Sequence, residues 1–324
     1  MNRTLASTML ATPFFCATAS FADVTVYWWQ DADHWNFKRS HMPDLDQRRD
    51  DCCESPGLPG DGSGYGVPTS MMNLLCYPSN HGIPLLSPGS GNWQWNGLYE
   101  DATDAIAELG DYMATSPATG TGAGAWSDGT QDWLDLYAHG QLARTAVFNA
   151  PDVDPSVMGM TLHNFNGGVT AFCYGVYIPG DFYEGIPLLG ERIGGHCLAF
   201  VGSERGQNGF RVRYRDPADD GVDASQSTFT TIETYVVQLQ FAYQPDEQWV
   251  KWVDFLVIPS RDGYLRAVDG YVTLTPTSFL TFQSNGGTLS LNQVAPLAMG
   301  SVTELIPVPD ASAIIDMDLE LADA

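Results

Sequence analysis

The stretch Gly62–Tyr77, GSGYGVPTSMMNLLCY, passes from glycine through a proline into an apolar run. Pro68 suits the first turn of a helix, where its missing N–H costs nothing. The spacing predicts a helix from Gly66 to about Tyr77, ending before Pro78. The glycines ahead of it form a turn. Gly66 therefore stands at a helix start, a place well suited to a reactive side chain, and it has none.

Working outward, Asp23–Trp29 (DVTVYWW) alternates and is β-branched and aromatic, which predicts a first strand. His41–Asp61 is charged and then rich in Pro and Gly, a loop. Leu98, Ala102, Ala105, Ile106 and Leu109 recur at helical spacing, which predicts a helix over Leu98–Met113. Thr115–Ala125 reads as a loop and Asp128–His139 as a third short helix. The period then changes. Thr145–Phe148, Val169–Ile178, His196–Val201, Phe210–Tyr214, Val236–Phe241 and Val253–Ile258 all read as strands. Helices first and a sheet afterwards predict an α+β fold, with N-terminal helices packed on an antiparallel sheet. From Gly263 the chain is strand-like and nearly uncharged. It reads either as a small C-terminal β appendage or as strands completing the main domain. The expected division is a leader over 1–22, a main domain over 23–260 and a β-rich extension over 261–324.

With 14 basic and 39 acidic residues among 324, the net charge is -25, and Lys38 and Lys251 are the only lysines. Such a chain repels nucleic acid and anionic membranes, whose binding needs basic patches. No run of apolar residues is long enough to span a membrane. The first residues carry Arg3, then a mostly small or apolar stretch, then Ser20-Phe21-Ala22, a small-x-small pattern that signal peptidase accepts. Secretion, or delivery to the periplasm or cell surface, is expected. Export permits disulfides. Beyond the leader lie Cys52, Cys53, Cys76, Cys173 and Cys197, an odd number, so at least one is free or pairs between chains. No CxxC spacing occurs, which argues against structural zinc, and no cofactor is expected.

The chemistry-bearing stretch is GGHCLAFVGSERGQNGFRVRYRDP, Gly194–Pro217. An apolar strand begins at His196, and a second strand after a turn runs into Asp216-Pro217. This hairpin brings a carboxylate toward the histidine, where it would fix the imidazole tautomer. A buried histidine satisfied by a carbonyl, beside a turn-capping aspartate, explains the same residues.

The whole arrangement resembles papain-like cysteine peptidases, and most closely the C39-like peptidase domain of exported bacterial proteins. The resemblance runs from about Asp44 to Pro217. It implies a papain-like fold and carries four roles onto this sequence. Gln47 in DLDQRR matches the glutamine that stabilises the oxyanion, and Gly66 in YGVPTS falls on the nucleophile. His196 in GGHCLAF matches the general base, and Asp216 in YRDP matches its orienting acid. The departure lies at Gly66. Cysteine catalysis needs a thiolate whose pKa is lowered by a helix N-terminus and an imidazolium, and glycine supplies no such atom.

Substitutes for the thiol are few. Cys76 lies ten residues on, about 15 Å down the helix. Cys197 follows His196 on a strand and faces the other way. Thr69 and Ser70 fall in the first helical turn, where they would satisfy backbone donors. Cys52 and Cys53, in the loop between Gln47 and Gly66, are long-range candidates. The cluster Asp216, Asp219, Asp220 and Asp223 lacks the spacing of an EF-hand loop and reads as a charged turn. Trp28, Trp29, Trp35 and the NWQW stretch Asn92–Trp95 would line a groove or a core equally well. GTGAGAW lacks the lysine and preceding strand of a phosphate loop. Three functions are therefore expected, in this order. The first is a secreted, catalytically inactive peptidase-like protein holding a peptide or protein segment in its cleft. The second is an active cysteine hydrolase served by Cys52 or Cys53, and the third is an exported structural protein without a functional cleft.

Overall fold

The structure is a computed structural model that describes residues 24–31, 34–39, 42–49, 57–80, 83, 96–148, 153–165, 167–183, 186–206, 209–218, 232–235, 237–243, 251–258, 262–277, 281–284 and 287–290. The expected leader, Cys52, Cys53, Asn92–Trp95 and three of the clustered aspartates (Asp219, Asp220, Asp223) lie outside these residues.

The fold mixes helices with an antiparallel sheet, as the α+β expectation has it. Helix α1 covers Gly66–Asn80, α2 Asn96–Tyr112 and α3 Ala123–Tyr137. The first begins where the sequence places it but runs past Pro78, because a proline in the last turn removes only one helical hydrogen bond. The third starts five residues before the expected Asp128, in the glycine-rich stretch read as loop. A fourth helix, α4 over Val153–Phe165, has no counterpart in the sequence reading. Its Pro155 and Gly159 blur the pattern. Gly159 is small for a packing reason: a Cβ there would lie 2.7 Å from the Tyr271 hydroxyl.

The strands are β1 (Val24–Asp31), β2 (His34–Arg39), β3 (Leu142–Phe148), β4 (Val169–Tyr183), β5 (Ile186–Gly206) and β6 (Gly209–Arg215). They continue with β7 (Ile232–Tyr235), β8 (Val237–Tyr243), β9 (Lys251–Ile258) and β10 (Leu265–Pro276). In the main sheet the order is β1-β2-β5-β4-β10-β9-β8, with β3 on β10, and β6 between β5 and β7. A parallel bridge at Leu188↔Ala242 joins β8 back to β5, so β5, β4, β10, β9 and β8 close into a ring. Of the two readings of the C-terminal stretch, Leu265–Pro276 completes the main sheet, since β10 pairs with β3, β4 and β9. The expected boundary at 260 therefore falls between two paired strands. Only β11 (Thr281–Ser284) and β12 (Gly287–Ser290) form a separate hairpin.

Period-two alternation divides the sheet into two faces. Ala171, Cys173, Cys197, Ala199 and Val201 meet Met71, Leu74, Leu75, Ile106, Leu109 and Trp133 from α1, α2 and α3. On the opposite face Phe172, Leu198, Phe200 and Tyr214 pack with Trp35, Phe37 and the α4 residues Val157 and Met160. Trp35 is thus a core residue, its indole N–H donating to Ser203 Oγ at 2.8 Å. Cys173 and Cys197 are register partners on β4 and β5 and form a disulfide. Cys76 is buried within α1.

Arg39, at the end of β2, is 1% exposed. Its Nη2 donates to the carbonyls of Asn164 (2.9 Å) and Gly168 (2.7 Å), and its guanidinium lies 4.7 Å above the Tyr77 ring. Its charge thus meets the carbonyl-rich end of α4 and packs on the last turns of α1, where a cation is favoured. Arg39→Met strips two buried carbonyls of a charged donor. It should cost about 3 kcal/mol, read as a lower urea midpoint at unchanged m-value.

Candidate functional site

Helix α1 is anchored at its start by its own polar side chains. Thr69 N donates to Tyr65 O at 3.0 Å, which makes Tyr65 the residue before the first turn. Ser70 Oγ donates to the Cys197 carbonyl at 2.6 Å, pinning the helix to β5 one residue beyond His196. One turn on, Asn73 Oδ1 accepts from Leu45 N at 2.7 Å and holds the segment that carries Gln47. The sequence reading gave Thr69 and Ser70 to helix donors. Ser70 instead serves as a donor to the sheet, and the Thr69 hydroxyl finds no partner among the described residues.

The Gln47 segment is tied to the Asp216 turn as well. Gln47 N donates to Pro217 O at 2.8 Å, and Arg215 Nη1 bonds Asp44 Oδ2 at 3.1 Å with both side chains almost fully buried. Three separate stretches, Asp44–Gln47, Gly66–Asn73 and His196–Pro217, are thereby fastened to one another.

Within this frame all four expected residues meet. A Cβ placed on Gly66 would stand 2.8 Å from Gln47 Oε1, 2.8 Å from His196 Nδ1 and 3.1 Å from His196 Cε1. The other ring nitrogen, Nε2, lies 2.5 Å from Asp216 Oδ1. A carboxylate only accepts, so Nε2 carries the proton toward Asp216, and in the neutral ring Nδ1 is the acceptor that faces Gly66. Asp216 Oδ1 also accepts from Ala218 N at 2.9 Å. The turn-capping role and the histidine-orienting role thus coexist in one oxygen. Gln47 is 3% exposed, and its Oε1, aimed at Gly66, has no hydrogen-bond partner among the described residues. Its amide nitrogen reaches only as far as Ser63 O, at 3.5 Å.

Tyr174, the register partner of His196 on β4, was not singled out by the sequence reading. Its ring stands edge-on to the imidazole with centroids 5.8 Å apart. Burial, and then the nearby Asp216 carboxylate, push its hydroxyl up to about 12. Register across a sheet cannot be read from one strand, so no local signal marked it.

The arrangement can hold a polar group at a helix N-terminus, accept a proton at Nδ1 and orient the imidazole. Among the described residues there is no nucleophilic side chain at the centre. Cys76 lies within the helix and Cys197 is bonded to Cys173, so neither supplies one. Among the described residues no group of His, Cys, Asp or Glu is set to hold a metal ion, and no helix is long and apolar enough to cross a membrane. Comparison of the chain with protein-family models and with curated proteins finds no match to either.

Two outcomes follow from this geometry. Arg215→Met removes the cation beside a buried Asp44 and should cost about 3–5 kcal/mol. The double variant Asp44→Leu/Arg215→Met should recover most of that loss in chemical unfolding. Tyr174 has a folded pKa of about 12 against an ordinary 10.0, so its stabilising contribution is full below pH 10 and lost as pH rises to about 12. Tyr174→Phe should flatten the alkaline fall in stability across that window.

Proposed function

We propose that this chain is an exported, papain-like protein resembling the C39-like peptidase domain, and that it binds extended peptide in its cleft without cleaving it. The observation that carries this reading is the convergence on Gly66. A helix N-terminus, a glutamine amide and a carboxylate-oriented histidine surround a residue with no side chain. The order Gln47, Gly66, His196, Asp216 along the chain supports the same reading. So does a buried helix packed on one face of an antiparallel sheet. The Cys173–Cys197 disulfide supports an oxidising compartment, and with it the expected leader.

The chemistry such a site performs is recognition. A peptide carbonyl laid at the start of α1 meets backbone N–H groups, while Gln47 Oε1 accepts from a peptide N–H and His196 Nδ1 accepts from a peptide N–H or hydroxyl. Among the described residues no atom stands in line to attack the carbonyl, so the bond stays intact. His196 and Gln47 stand where a nucleophile's Cβ would need room, and a larger residue at 66 has to push both side-chain ends aside.

Intact mass after brief exposure to a papain-type epoxide tests the reading. The wild-type chain should remain unmodified. Gly66→Cys should take one adduct at position 66, and Gly66→Cys/His196→Ala should lose it, because a thiol between a helix N-terminus and an imidazole has a lowered pKa. A wild-type adduct on Cys52 or Cys53 that disappears in His196→Ala would instead establish the active hydrolase. Extended peptides that bind the wild type should be recovered uncut, and His196→Ala should weaken their binding.

A further inference from the structure

From the cluster around Arg192 we infer that the cleft reads a carboxylate on its peptide ligand, through the free end of that guanidinium. The inference rests on the peptide-binding reading above and names the chemistry of the ligand.

The placement follows from the register. Between Val176↔Gly194 and Tyr177↔Arg192 the β4–β5 ladder shifts by one residue, so β5 bulges at Ile193. The bulge turns Arg192 onto the face shared by Gly195 and Cys197. This is the face on which α1 packs, and Ser70 bonds the Cys197 carbonyl there.

Two glycines make the space. Gly175 and Gly195 are register partners. A Cβ on Gly195 would collide with Arg192 Nη2. A Cβ on Gly175 would stand 2.8 Å from Arg192 Nε and would collide with Asp269 Oδ2. The guanidinium therefore lies along a bare strip of backbone, against the residue that precedes His196.

Its orientation is fixed from one side only. Arg192 Nε donates to Asp269 Oδ2 at 2.8 Å, and Tyr177 OH donates to the same oxygen at 2.9 Å. Burial first, and then Asp269, raise the Tyr177 hydroxyl well above its ordinary value, so it remains a donor. Asp269 is 13% exposed while Arg192 is 48% exposed. The carboxylate thus holds the base of the fork, and among the described residues the two Nη groups have no carboxylate partner. A forked pair of N–H donors on a delocalised cation matches a carboxylate in two parallel hydrogen bonds.

The overall charge sharpens the argument. In a chain of net charge -25 a ligand carboxylate is repelled at long range, so it docks only where a local cation is presented. Arg192 is such a cation, oriented by a half-buried partner and lying against Gly195, the residue before His196.

Fluorescence anisotropy with three labelled extended peptides tests this on the full chain. One carries an internal Glu and an amidated C-terminus, the second has Gln in its place, and the third has Gln with a free C-terminal carboxylate. The wild type should bind a carboxylate-bearing peptide at least tenfold more tightly than the neutral one. Whichever of the two wins identifies the source as side chain or C-terminus. Arg192→Gln should abolish the preference without weakening the neutral peptide, and Arg192→Lys should restore part of it. Circular dichroism confirms the fold of each variant. Equal affinities for all three peptides in the wild type, with binding that still depends on His196, would overturn this inference and leave the peptide-binding reading standing. A preference that persists in Arg192→Gln would overturn it too. Failure of every peptide to bind would overturn both.

Discussion

The polar side chains of one buried helix hold this molecule together where it matters. Ser70 and Asn73 sit one turn apart on α1 and each bonds the backbone of a different segment, Ser70 to the strand of His196 and Asn73 to the stretch of Gln47. Backbone groups buried without partners cost free energy comparable to a lost hydrogen bond. These two contacts are therefore constraints on where both segments lie. The Asp44–Arg215 pair and the bond from Gln47 N to Pro217 O close the remaining side. Four site residues drawn from three distant stretches are brought to one point by interactions that none of the four makes with its own side chain, the His196–Asp216 bond excepted.

At that point the molecule has a glycine. Gln47 Oε1 and His196 Nδ1 both stand within 2.8 Å of where a Cβ would be, so these two side-chain ends occupy the space beside the glycine. Gln47 is 3% exposed, and its amide oxygen has no hydrogen-bond partner among the described residues, an arrangement that costs free energy in a buried site.

Much of this was legible in the sequence, and the misses have physical causes. The start of α1 is local: glycines, then Pro68, then an apolar run. The hairpin carrying His196 and Asp216 is local as well, since β5 and β6 are joined by a short connection. Helix α4 escaped because Gly159 is set by the approach of Tyr271, more than a hundred residues away in the chain, and Pro155 interrupts the pattern. The place of β10 stayed open between an appendage and a strand completing the main domain, because its alternation fits an edge as well as a middle strand. Pairing partners are chosen by tertiary contact, so a single strand does not announce them.

By itself, then, the sequence determined the order of elements, the acidic character, the glycine at a helix start and the residue types that could meet there. These depend on neighbours a few positions apart or on composition alone. Only the tertiary structure decided that they do meet, that Cys173 pairs with Cys197, that Tyr174 stands edge-on to His196 and that the Arg192 guanidinium lies along two facing glycines. Each of those is a question of strand register, and a shift of one residue would carry every one of these side chains to the opposite face of the sheet.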